Sequence, residues 1–415
     1  MVETSPRSIG LTFSSLLPQE LQDRKGTEIM GKLQMTILAF IAISCCIHIR
    51  RQLQDSDYIK HLFSGNDAGK SRILYLDYVR LIAALFVILV HCLDFSTAGL
   101  TAGTKGWVAV QSLSSILLVC NTLFIMNSGA LILKGQREGL AAFYYKRFLQ
   151  VALPFFCYYC IYILLSCQYF NSGFMNGILR ALKDMAAGPI DWAPHLWVIY
   201  VILSLYILAP FFSVLLRHLT DSMLHGLAVL ILLFRCLAVY LPAMGLPLNF
   251  ELMISPWEGV FLLGYYFSHP ISMKYRKAWL GFGMASILFT ILCTALRPDY
   301  KAILMAEGAP ATLFLGASIF LILRSLENRL PKPGMGMNFL IRHSYSILLV
   351  HWAVLYFVRE RFHINWLSFG TAGSTLLSFL LVLVLSAAAA FLFDQTVVLC
   401  VQTLFKRLVQ PLRSR

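Results

Sequence analysis

The sequence predicts an all-α fold: a polytopic membrane bundle of about ten transmembrane helices, with one further short apolar segment ahead of them. Three observations lead there. The 415 residues are 58% hydrophobic and 13% charged, with a mean hydropathy of +0.72, a composition far from that of a soluble globular domain. The apolar residues gather into runs that, at ~1.5 Å rise per helical residue, reach across a ~30 Å hydrocarbon core. Lys and Arg crowd into alternate loops, as membrane topology requires. The net charge of +14 is thereby accounted for, because it is scattered through short loops and forms no continuous basic face for nucleic acid. The 10 Cys lie mostly inside apolar runs, among them Cys45 and Cys46. They read as packing residues.

Residues 1–32 are polar, contain Pro6 and Pro18, and lack sustained periodicity, as a disordered leader does. Residues 33–71 comprise a short apolar helix, Leu33 to Ile49, and a basic connector that begins at Arg50 and Arg51. At about 17 residues the apolar run sits at the lower limit for a span. The long polar leader, with no small-residue cleavage site after the run, argues against a signal peptide. The run either crosses the membrane or lies at its interface. Ten spans follow, at about 73–93, 111–133, 148–168, 196–216, 223–241, 255–268, 278–296, 309–323, 340–358 and 372–393. Residues 396–415 remain as a basic cytoplasmic tail. Placing the start of the first span in the cytoplasm puts about 18 Lys and Arg in inside loops against about 7 outside, which sets the orientation.

Ionisable groups inside a membrane cost roughly 2.5–3.5 kcal/mol each and face a bundle interior, a partner or water. The first span, 73–93, carries three of them, Asp77, Arg80 and His91. At about 100° per residue, Arg80 and His91 point the same way to within about 20°, and Asp77 lies about 40° from His91. One stripe therefore holds all three, although about 16 Å along the axis separates Arg80 from His91. These two serve opposite ends of one cavity, while Asp77 and Arg80, three residues apart, are spaced to pair. An interfacial ion pair with a snorkelling histidine would give the same spacing.

The pattern Asp77-x-x-Arg80-x-x-Ala83, Val87, His91 resembles the first-helix signature of the integral-membrane acyltransferase family called acyltransferase type 3. Further landmarks similar to that family's extend the resemblance over residues 72–395. Phe124 to Gly129 closes the second span on Ser128-Gly129, small residues that let helices approach, beside an amide, Asn127, that needs partners when buried. Arg147 matches the first member of an Arg-x-x-Arg pair that the resemblance assigns to the acyl-coenzyme A donor. Gln150 stands where the second Arg is expected, and Lys146 is a neighbouring charge. His195-Leu196-Trp197 is a landmark at the outer interface, where aromatic-belt anchoring and stacking on a sugar or lipid head group are both open. Arg235 lies deep in the fifth span, and Glu258 precedes Gly264-Tyr265-Tyr266; a pairing of Arg235 with Glu258 between neighbouring helices is the favoured reading. Ser344 to His351 is similar to the family's Ser-x-x-Ile-x-Leu-x-His pattern, and Asp394 closes the last span as a helix-end charge.

The resemblance implies a membrane O-acyltransferase, most simply an O-acetyltransferase of surface glycans in the bacterial inner membrane. Its general base would be His91, since imidazole titrates near ~6.5 and suits deprotonation of a hydroxyl. Asp77 and Arg80 would serve the donor end, Lys146 and Arg147 the phosphates, with His195, Trp197, Glu258 and His351 as further substrate-binding candidates. Acyl-CoA, most simply acetyl-CoA, would be the co-substrate, and a glycan or lipid-linked sugar the acceptor; no bound cofactor or metal is expected. With about twenty residues after the tenth span, no extracytoplasmic hydrolase-like domain of the kind fused to some family members is expected. A polar stripe through ten helices also suits a transporter or flippase for an anionic solute or lipid-linked sugar.

The Lys/Arg bias predicts that segments 94–110 and 169–194 face outward and that 134–147 and 324–343 face the cytoplasm. A single cysteine placed in 134–147 should resist an impermeant thiol reagent in intact cells, and its labelling there would overturn the orientation.

Overall fold

The computed structural model describes residues 72–96, 100–134, 139–165, 174–246, 256–362 and 370–413. The leader 1–32, the apolar run Leu33 to Ile49 and the connector to residue 71 lie outside the described residues. Every regular element among the described residues is helical. The main helices are α1 (Leu74–Ser96), α2 (Lys105–Leu117), α3 (Val119–Ile132), α4 (Leu140–Arg147), α5 (Leu153–Leu165), α6 (Phe174–Ala187), α7 (Trp197–Arg217) and α8 (Asp221–Ala243). They continue as α9 (Pro256–Ser268), α10 (Arg276–Leu296), α11 (Tyr300–Leu304), α12 (Pro310–Ser325), α13 (Met335–Phe362), α14 (Gly370–Phe393) and α15 (Leu399–Arg413).

Each of the ten expected spans is helical over most of its described residues, and among the described residues eight helical stretches are long and apolar enough to cross a membrane. The other two, α9 with 13 residues and α12 with 16, are shorter. Both are largely enclosed by protein, so neither has to match the hydrocarbon thickness by itself. The second expected span is two helices, α2 and α3, joined at Leu118. The third begins earlier than the apolar run suggests: α4 leads into a π-helical stretch, Phe148–Ala152, and then α5. Pro154 explains that detour, because its missing N–H leaves the Gln150 carbonyl without its usual helical donor and loosens the α ladder there.

Two helices were not foreseen. Segment 169–194, read as an outer loop, contains α6, and the basic tail forms α15. Both are too polar on one face to register as spans, which is why a search for long apolar runs passes over them.

The first span is the hub of the bundle, since α1 packs against α3, α12, α13 and α14. Helices α7, α8, α10 and α14 carry large apolar side chains outward, such as Phe211, Leu230, Leu288 and Val384, all exposed. A belt of that kind belongs in lipid, not water. Asp394 does not end the last span. The chain continues from it through a second π-helical stretch, Asp394–Val398, into α15.

A close helix approach lies between α3 and α9. A Cβ on Gly129 would run into the backbone carbonyl of Phe261, and one on Gly264 into that of Met126. The Ser128-Gly129 and Gly264 landmarks are thus the two sides of one backbone contact, which is how helices gain packing energy in lipid. Gly129→Ala or Gly264→Ala must push the helices apart and should lower the melting temperature of the detergent-solubilised protein, at a cost of roughly 1–3 kcal/mol. Gly281→Ala, where a Cβ meets nothing within 4 Å, is the control. An unchanged melting temperature in both of the first two variants would show that the contact is not tight.

Candidate active site

Three imidazoles from three elements meet around one turn of α13. His351 is fully buried, and its Nδ1 donates to its own helix at the Leu348 carbonyl, 2.8 Å away. Beside it, the Leu349 carbonyl accepts from the Tyr162 hydroxyl of α5 at 2.8 Å and from His195 Nε2 at 3.2 Å. His195 is delivered by a 3-10 turn, Pro194–Leu196, set just before α7. His91 of α1 stacks on His351 with ring centroids 5.4 Å apart, and Trp352 meets both His91 at 5.0 Å and His195 at 5.8 Å. A carbonyl can only accept, so His351 carries its proton on Nδ1 and His195 on Nε2. The remaining ring nitrogens, His351 Nε2 and His195 Nδ1, are buried acceptors with no hydrogen-bond partner among the described residues.

This cluster borders a cavity of about 350 Å³. His91, His195 and Trp352 line it together with Trp197, Trp257 and Glu307. Trp197 and Trp257 face each other at 5.3 Å, which gives the cavity a broad aromatic wall. Glu307 reaches it from the turn between α11 and α12, where Gly308 adopts φ +58. The deep Arg235 of α8 holds that turn by donating to the backbone carbonyls of Glu307 and, at 3.3 Å, Gly308. The Trp257 indole donates to Glu307 Oε2 at 3.0 Å. Arg235 therefore does not pair with Glu258. Glu258 is half-buried next to Trp257, outside the cavity lining, and its buried Oε2 has no hydrogen-bond partner among the described residues. The guanidinium favours the carbonyls because they present two convergent acceptors at its depth.

The other end of α1 is organised separately. Asp77 pairs with Arg72, which also donates to Asn338 of α13 at 2.7 Å. The expected Asp77–Arg80 pair is not formed, because Arg72 reaches back over the start of α1 and occupies the carboxylate. Arg80 is left half-buried, with no hydrogen bond or ion pair among the described residues. Lys146 and Arg147 end α4, both half-buried. The Arg147 guanidinium lies over the rings of Phe143 at 5.4 Å and Tyr206 at 5.7 Å and donates to Gln150 at 3.2 Å. Gln150, in place of a second Arg, thus orients the first.

A further polar group lies deeper. Asp394 accepts from Ser346 at 2.8 Å, from Tyr158 at 3.1 Å and from His343 Nδ1 at 3.1 Å. Ser346 donates to the carboxylate and not to the imidazole, so this is not a nucleophile–base pair of the Ser–His kind. It ties α5, α13 and the end of α14 together. Asn127 is buried and its Oδ1 has no partner among the described residues.

The structure thus brings His91, His195, Trp197 and His351 to one end, and leaves Asp77, Arg80, Lys146 and Arg147 away from the cavity. Trp257, Trp352, Tyr162 and Glu307 were not singled out from sequence. Trp352 had a signal, adjoining His351. Glu307 had none, since a lone Glu in a short connection reads as a solvated charge.

Residues 73–394 match the family described as an acyltransferase domain. No curated protein and no solved structure matches the chain. The family match spans most of the sequence and contains every element of the cavity. The chain belongs to the acyltransferase type 3 family and is a membrane acyltransferase.

Proposed function

We propose that the protein moves an acyl group, most simply acetyl, from cytoplasmic acyl-CoA to a hydroxyl of a glycan or lipid-linked sugar at the outer face of a bacterial inner membrane. The observation that carries this reading is the placement of His91 in an aromatic-walled cavity at one end of α1, with Arg80, a cation without a partner among the described residues, near the other. By helical rise the two lie about 16 Å apart along the axis, a distance suited to a long, thin thioester arm. Membership in an acyltransferase family favours transfer over the carrier reading of the same stripe.

In this reaction His91 takes the proton of the acceptor hydroxyl as the oxygen attacks the thioester carbonyl. The tetrahedral intermediate collapses with loss of the coenzyme A thiolate, which receives the proton from the imidazolium. A thiol with a pKa near ~8.5 is a good leaving group, so no acyl-enzyme is required. His195 and His351, pinned by α13 carbonyls, shape the floor beneath His91. Arg80, Lys146 and Arg147 supply charge for the donor phosphates, and Phe143 and Tyr206 hold the Arg147 guanidinium flat for a forked contact.

Membranes containing the protein and supplied with labelled acetyl-CoA should transfer label to an acceptor, and Arg147→Ala should weaken donor use by roughly 1.5–3 kcal/mol, read as a raised donor KM. Gln150→Arg should be tolerated. Absence of any label transfer by the wild type overturns the function, and an unchanged donor KM in Arg147→Ala removes that residue from the donor site.

A further inference from the structure

Glu307 enters the cavity on a turn built to present it. Gly308 sits at φ +58, where a side chain would be strained and would press on Pro256 and approach the Arg235 guanidinium. Arg235, almost wholly buried, directs its donors at the carbonyls of that turn. The Trp257 indole fixes one carboxylate oxygen, Oε2, at 3.0 Å. The other, Oε1, has no hydrogen bond among the described residues. A carboxylate in that state is an acceptor only, and it lies in the same cavity as His91 and the Trp197–Trp257 wall.

Resting on the proposed acyl transfer, we infer that Glu307 is a specificity-determining residue for the acceptor. Its Oε1 takes a hydrogen bond from a second donor group of the acceptor, a hydroxyl or an ammonium, while the reacting hydroxyl lies at His91. The same charge turns away acceptors that present a carboxylate or phosphate at that position, because two anions held close in a partly desolvated cleft repel. The acceptor unit seated in the cavity is therefore a polyol or amino-polyol that is not anionic at this point. Trp257 is a positioning residue for the carboxylate.

The test uses membranes that hold the full-length protein, labelled acetyl-CoA and the endogenous acceptor, with three competitors: methyl glucoside, methyl glucosaminide and methyl glucuronide. In the wild type the glucosaminide and glucoside should inhibit incorporation at concentrations at least about tenfold below the glucuronide. Glu307→Gln should bring the glucosaminide and glucuronide to within about threefold of each other, and Trp257→Phe should shift the ratio the same way by less. Melting curves of the solubilised variants show whether each is folded. If the ratio stays the same in folded Glu307→Gln, or if none of the three competes in the wild type, the inference is wrong. If the wild type incorporates no label at all, it is the acyl-transfer reading that falls.

Discussion

Two backbone oxygens, those of Leu348 and Leu349, hold the site together. Each carbonyl within α13 is a helical acceptor that keeps a second lone pair; here that of Leu348 takes His351, and Tyr162 and His195 share that of Leu349. In water such bonds would compete with solvent. Inside an apolar bundle they do not, and a ring N–H or phenol left without an acceptor would cost several kcal/mol. One turn of α13 therefore draws in α5 and the 3-10 turn ahead of α7, and the stack of His91 on His351 adds α1. The cavity takes its floor from that convergence.

The same rule explains why the polar groups are distributed as they are. Asp394 collects three donors from α5 and α13, which fixes α14 against them about two turns from the histidines along α13. Arg324 caps the end of α9 through the carbonyls of Phe267 and His269. Arg235 holds the turn before α12. These are charges with structural duties, the carboxylate with donors in place and the two guanidinium groups with acceptors. Arg80 is the contrast, half-buried on the hub helix without such acceptors among the described residues, and in the proposed reaction it is the charge kept for a ligand's anionic group.

Much of the fold was legible because lipid imposes a simple code. Apolar runs gave the ten helices, and the His91 stripe marked the hub helix. The two spans that proved short, α9 and α12, are apolar for a different reason, burial in protein, which hydropathy cannot distinguish from burial in lipid. Helices α6 and α15 were missed because an amphipathic helix has no long apolar run. At the site, His91, His195 and His351 were found as single residues on separate segments. Their meeting depends on the packing of α1 against α13, which no local pattern encodes. Pairings were the weakest reading: Asp77 went to Arg72 instead of Arg80, and Arg235 to the Glu307 turn instead of Glu258. Spacing along one helix shows which charges can meet, but a neighbour from another segment decides which do. The Glu307 turn joins residues more than 70 positions apart in sequence, and nothing near it announced the role.

The central claim is that His91 accepts the hydroxyl proton, and turnover at saturating acceptor in His91→Ala and His91→Gln tests it most directly. Glutamine keeps a hydrogen-bonding group at the cavity wall but offers no basic nitrogen, so the account predicts that both variants insert, bind donor and lose about 10²–10⁴ in kcat. Near-normal kcat in His91→Gln, with only a raised acceptor KM, would contradict it and leave His91 as a group that binds the acceptor without taking its proton.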